Sequence, residues 1–162
     1  MKTRKNKYGF TLLEMLIVMT LIAILASMVI GVASHIDARA KEDGVESMFV
    51  LLDSALQEYR QFTDKFPEQL EQNYANAAAH SEYLYYELNS VPNSRSILEK
   101  INSSLIEDKY AAAGAPVGMG PEIYDPWGTV MDYRYTPGEN FPEMISAGPD
   151  KQFGTADDIS NK

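Results

Sequence analysis

From Met15 to Ser34 the chain carries twenty residues without a charge or a proline. A helix of that length is about 30 Å long, the thickness of a bilayer core. Beyond the run the spacing of apolar positions changes. Val45, Met48, Phe49, Leu52, Ala55, Leu56, Tyr59 and Phe62 recur at steps of three and four, forming one stripe. Asp43, Glu46, Asp53, Glu58 and Arg60 lie off that stripe. Together the two patterns predict a single helix from about Thr11 to about Thr63, roughly 80 Å long, ending ahead of Pro67. Its half over 10–34 belongs in lipid or in the core of an assembly. Its amphipathic half over 35–63 belongs on a small folded head.

The pattern over 64–123 is weaker. The stretch PEQLEQNYANAAAHSEYLYYELNS predicts a helical segment with Tyr83, Leu84, Tyr86, Glu87 and Leu88 partly packed. SRSILEKINSSLIEDKY predicts a second, with Ile97, Leu98, Ile101, Leu105 and Ile106 inward, and Val91-Pro92-Asn93-Ser94 as the turn between them. The tyrosines of EYLYYE suit core packing with hydroxyls at the rim better than they suit a partner surface. AAAGAPVGMGPE is a small-residue loop without the lysine that a phosphate-binding loop requires. Over 124–162, Asp125-Pro126-Trp127-Gly128 is turn chemistry, and Thr129 to Tyr135 alternates as a strand does. Pro137 to Asn140 then turns the chain into a partner strand over Phe141 to Gly148. The predicted fold is α+β: a long N-terminal hydrophobic helix packed at its C-terminal half on a small head, with extra helices and a short antiparallel sheet.

Charge sharpens the picture. The 162 residues hold 14 basic and 23 acidic side chains, a net charge of −9. Lys2, Arg4, Lys5 and Lys7 precede Gly9 and no acid does, which leaves 10 basic against 23 acidic residues in the body. An acidic body excludes a nucleic-acid binder, which needs basic residues clustered on its folded part. A basic leader before an apolar run is a topology signal that keeps its end on the cytoplasmic side. With no cysteine there are no disulfides and no thiolate metal sites. Two histidines, His35 and His80, lie at no known triad or zinc-motif spacing, and Glu139 and Glu143 read as charges of the sheet turn. The chain does not read as an enzyme.

A carboxylate, Glu14, stands at the head of the apolar run, five residues after Gly9. The segment GFTLLEMLIVMTLIAIL resembles the type IV prepilin signature of type IV pilins and type II secretion pseudopilins. The resemblance implies cleavage by a prepilin peptidase between Gly9 and Phe10, so that 1–9 is a removed leader. It implies N-methylation of Phe10, with Glu14 as the fifth residue of the mature chain. A carboxylate at the start of a membrane helix is costly unless paired, and the helix N-terminus offsets part of that cost. In assembled filaments of the family this glutamate meets the N-terminal amine of a neighbour, which makes Glu14 an assembly residue. Where the family commonly has proline, the twenty-second mature position here is Gly31, so a local melt of the helix is less forced. A secretory signal is the competing reading, with Ala26-Ser27 or Gly31-Val32-Ala33 as the small-residue site.

DPWG followed by a YRY strand is similar to the major pseudopilin of type II secretion. In SAGPDKQFGTADDISN three carboxylates, Asp150, Asp157 and Asp158, flank a loop containing Gly148 and Gly154. Hard oxygen donors on such a loop suit Ca²⁺, although the spacing is not that of an EF-hand. By the resemblance Asp150, Asp157 and Asp158 are calcium ligands, with the backbone carbonyls of Ala147 and Ile159 nearby. The implied protein is a single-pass inner-membrane subunit with its head in the periplasm. It joins a homo-oligomeric filament with other pseudopilins on an inner-membrane assembly platform. One alternative is a type IV pilin or minor pseudopilin, less favoured because many type IV pilins close this region with a disulfide. Another is a membrane-anchored binding domain that never polymerises.

Overall fold

The computed structural model describes residues 10–110 and 120–162, with the backbone but not the side chains of 29–34. The leader 1–9, with Gly9, and most of the glycine-proline loop lie outside the described residues. The chain divides into two compact units, Met1–Ala40 and Lys41–Lys162. Helix α1 (Leu12–Thr63) contributes to both and runs through Gly31 without a break.

In the unit Met1–Ala40 every described side chain is exposed, the large apolar ones from 46% at Val18 to 84% at Leu12. Among the described residues no helix is long and apolar enough to cross a membrane. Within the run the described apolar side chains end at Met28, and those of 29–34 are not among the described ones.

In the unit Lys41–Lys162 the stripe on α1 is the floor of the core. Val45, Met48, Phe49, Leu52, Ala55, Leu56 and Tyr59 are all buried. Burying each of the larger ones contributes about 1.5–3 kcal/mol. Phe62, expected on the same stripe, is instead 72% exposed. The helix ends one residue later, where the Thr63 hydroxyl bonds the carbonyl oxygens of Tyr59 and Lys65, and Asp64 turns the chain back at φ +61°. The reversal carries Phe66 inward, where it meets Tyr135 and Phe141 edge-on at 5.3 and 5.1 Å.

A 3₁₀ turn, Tyr74–Asn76, capped by the Asn73 side chain, leads into α2 (Ala77–Ser90). Leu84 and Leu88 are buried, Tyr83 and Glu87 half-buried, and Tyr86 exposed. The expected second helix is much shorter than its sequence pattern. It forms α3 (Pro92–Leu98), with Pro92 in its first turn rather than in a four-residue connection. The helix tightens at its end, where the amides of Lys100 and Ile101 reach back only three residues. The Asn102 side chain then caps a separate 3₁₀ turn, Ser103–Leu105. Ile101 is buried as expected, but Ile106 belongs to a strand.

That strand, β1 (Ile106–Glu107), pairs antiparallel with β2 (Glu122–Ile123). A second sheet has the order β3 (Asp132–Arg134), β4 (Glu143–Ser146), β5 (Ile159–Ser160), all antiparallel. The β3–β4 hairpin is the expected one, with Tyr133 opposite Met144. The third strand, β5, was not legible in advance. Tyr133, Met144 and Ile123 are fully buried and close the core over α1.

Candidate functional site

Two regions carry the residues singled out by sequence: the start of α1, in one unit, and the turn-and-loop system of 125–158, in the other.

At the start of α1, Glu14 caps its own helix. Its Oε2 accepts the Thr11 amide at 2.8 Å and the Thr11 hydroxyl at 2.9 Å, while the Glu14 amide donates back to the Thr11 hydroxyl at 3.2 Å. This is a reciprocal capping box, in which a threonine and a glutamate three residues apart satisfy two otherwise free helix amides. Thr11 therefore belongs to the site, and the Thr-x-x-Glu spacing was readable in the sequence. Glu14 Oε1 makes no hydrogen bond among the described residues, and Phe10 is 78% exposed ahead of the cap. One carboxylate oxygen is thus held by the helix while the other makes no bond within it, four residues after the position at which the mature chain is expected to begin.

In the head, the Asp125-Pro126-Trp127-Gly128 turn is organised by its fully buried first residue. Asp125 Oδ1 accepts the amides of Trp127 and Thr129 at 3.0 and 2.8 Å. Its Oδ2 accepts the Ser146 hydroxyl at 2.7 Å, and the Ser146 oxygen accepts the Gly148 amide at 3.2 Å. The turn is thereby tied to the first residue of the acidic loop through a serine on β4, a link that sequence gave no means to find.

Gly148 adopts φ +63°, and a β-carbon there would lie 2.2 Å from the Asp157 carbonyl oxygen. The two ends of the loop are pressed together at this point. Asp157 Oδ2 accepts the Asp150 amide at 3.0 Å and Oδ1 the Thr155 hydroxyl at 2.6 Å. The Thr155 hydroxyl, and then the Asp150 amide, hold the Asp157 carboxyl below its ordinary value, so it is charged at neutral pH. Asp150 Oδ1 accepts the Gln152 amide, and Asp158 Oδ2 the Gly154 amide at 2.7 Å. Asp158 Oδ1 is buried without a partner. Ala147 is buried and Ile159 lies in β5, so the loop between them is anchored at both ends.

The loop thus brings Asp150 and Asp157 into one hydrogen-bond network, with Asp158 beside Gly154. Among the described residues no group of three acidic, histidine or cysteine side chains is gathered as a metal centre. The donors have the chemistry Ca²⁺ takes, hard oxygens on a glycine-containing turn, and the orphaned Asp158 oxygen is the kind of atom a cation would satisfy. His80, for which sequence offered no partner, is buried on α2 with Nδ1 2.6 Å from Asp132 Oδ1 on β3.

The family model of the prokaryotic N-terminal methylation motif matches residues 4–30. The chain is 29% identical over 163 aligned residues to type II secretion system core protein G of Escherichia coli (strain K12), covering 99% of this chain and 94% of that protein. It is 30% identical over 155 residues to the protein of the same name from Pectobacterium carotovorum subsp. carotovorum, covering 94% of this chain and 83% of that one. No solved structure gives a significant match. Because the similarity extends through the head as well as the N-terminal signature, the chain belongs to the type II secretion system core protein G family.

Proposed function

We propose that the chain is a structural subunit of a type II secretion pseudopilus. A prepilin peptidase cuts it between Gly9 and Phe10, Phe10 is N-methylated, and the mature subunit assembles into a filament that supports protein export. The observation that carries this reading is the coincidence of the N-terminal methylation motif with similarity to core protein G along nearly the whole chain. Mass spectrometry of the mature N-terminus tests it. A chain beginning at methylated Phe10 is the expected result; an intact Met1 or a cut within the apolar run would overturn it.

Residues 10–34 anchor the subunit in the inner membrane before assembly, with the basic leader on the cytoplasmic side and the head in the periplasm. The exposed apolar side chains of α1 support this, since a surface of that kind must be covered by lipid or by other helices. Glu14 acts in assembly: its other oxygen is available to the N-terminal amine of a neighbouring copy. Other pseudopilins and an inner-membrane platform are the remaining partners.

Asp150, Asp157 and Asp158, with the carbonyls of Ala147 and Ile159 close by, hold a structural Ca²⁺ in this reading. The ion supplies positive charge that offsets the repulsion between carboxylates, and binding to the folded state alone stabilises it. At free calcium a hundredfold above the dissociation constant the gain is about 2.7 kcal/mol. The full chain in detergent should therefore melt higher in calcium than in chelator. Superimposable melts would remove the ion from the proposal.

A further inference from the structure

We propose that His80 is a proton-operated latch that closes the connection between α1 and α2 onto strand β3. The His80 ring is buried at 1% exposure between two carboxylates. On one side Asp132, fully buried, lies 2.6 Å from Nδ1. An ionised carboxylate only accepts, so the proton of that bond resides on Nδ1. On the other side Nε2 is buried and makes no hydrogen bond. The nearest charged atom to it is Glu71 Oε2 at 3.7 Å, too far for a hydrogen bond and on a side chain that is half exposed.

With one proton on the ring, the Nε2 lone pair faces a carboxylate, an arrangement that offers no bond. A second proton turns Nε2 into a donor aimed at that carboxylate. A shift of well under an ångström by Glu71, whose side chain has open space to move from, then makes the bond. Charge balance favours the same event, against the cost of charging a buried ring. The cluster holds Asp132, Glu71 and the Arg134 guanidinium, whose Nε donates to Asp132 Oδ2 at 2.7 Å. With a neutral ring its net charge is −1, and with a charged ring it is zero.

The other ionisable groups on elements packed against α2 are engaged elsewhere. Glu122 on β2 accepts the amides of Lys109 and Tyr110, and Glu82 on α2 itself accepts that of Gly120. Glu87 is bonded to the Tyr59 hydroxyl of α1, and Arg95 of α3 to the Asn89 carbonyl. Tyr74, in the turn before α2, presents its ring to Arg134, 3.9 Å from the guanidinium.

The latch has an output. The connecting segment is pinned at Gln69 by a bridge to Tyr135, and Glu71 Oε1 accepts from the Asn76 side chain. Three residues after Glu71, Tyr74 stacks face to face on Phe153 of the acidic loop at 4.7 Å. Closing Glu71 onto His80 tightens the segment that supports that loop. Falling pH should therefore stiffen the head, since the second proton binds the closed form and rising pH releases it.

The experiment compares wild type with Glu71→Gln in the full chain in detergent, between about pH 5 and pH 8. NMR follows the His80 ring and the Glu71 side-chain carboxyl carbon, and denaturant unfolding gives stability at each pH. In wild type both resonances should move with one common midpoint, and stability should rise as pH falls. Glu71→Gln, an isosteric change at a half-exposed position, should fold normally and lose about half of that rise. A Glu71 resonance that stays fixed while His80 titrates would overturn the latch. So would a His80 ring that does not titrate in this range, or a variant whose stability follows pH as wild type does.

Discussion

Glu14 has two oxygens, and the proposed filament gives each a separate task. One oxygen closes the first turn of α1 by taking the Thr11 amide and hydroxyl. The other, in the proposed filament, meets a neighbour's amine. Substitutions divide these tasks. Thr11→Ala removes the hydroxyl half of the cap, should fray the first turn, and should leave assembly largely intact. Glu14→Leu removes both, and should still insert into membranes while failing to co-assemble with wild-type subunits. Cross-linking of co-expressed wild-type and variant chains reads the difference, and normal incorporation of Glu14→Leu would refute the assembly role. In the proposed filament, a carboxylate already half satisfied within its own chain would be tolerated before a neighbour arrives.

At the scale of elements, the 125–128 turn and the acidic loop behave as one unit because Asp125 and Ser146 join them. Asp125→Ala leaves the amides of Trp127 and Thr129 and the Ser146 hydroxyl without their acceptor. Each such loss costs about 1–3 kcal/mol, so the variant should lose about 3 kcal/mol or more in denaturant unfolding, and Asp125→Asn less. A value for Asp125→Ala within about 1 kcal/mol of wild type would show that the turn stands without this residue. Much of the element plan could be read in advance. The α1 stripe, the β3–β4 hairpin and the aspartate-led turn follow from periodicity and turn chemistry, which are local. What could not be read depends on pairs distant in the chain. The strand β5 is two residues long and exists only because β4 offers an edge. The contacts of His80 with Asp132, and of Ser146 with Asp125, join positions 52 and 21 apart with no motif linking them. Phe62 misled because periodicity does not say where a helix stops, and the reversal at Asp64 gives its place in the core to Phe66. The carboxylates of the loop were visible as composition, but their grip on backbone amides was not.

For the head as a whole, buried phenols set an alkaline limit. Burial, and then the nearby Glu122 carboxylate, push Tyr124 up to about 12. Burial, and then Glu87, push Tyr59 higher still, and burial does the same to Tyr133, whose hydroxyl donates to the Pro67 carbonyl. A raised folded value means that the fold favours the neutral phenol. The stabilisation is complete below the ordinary tyrosine value of about 10 and is lost as pH rises through about 12. The last part of the tyrosinate absorbance and the loss of helix should therefore appear together in that window. Ionisation of every tyrosine near the ordinary value with the helices intact would contradict the burial described for these rings.

The side-chain NH2 of Asn161 donates to Asp53 on α1 and to the Pro142 carbonyl, while its side-chain oxygen accepts the Met144 amide. The clasp spans 108 positions. A ribosome making this chain releases the greasy face of Val45 to Tyr59 long before it makes the residue that fastens the sheet over it. For that interval the nascent head has an uncovered flank, the kind of surface by which unfinished chains stick to one another.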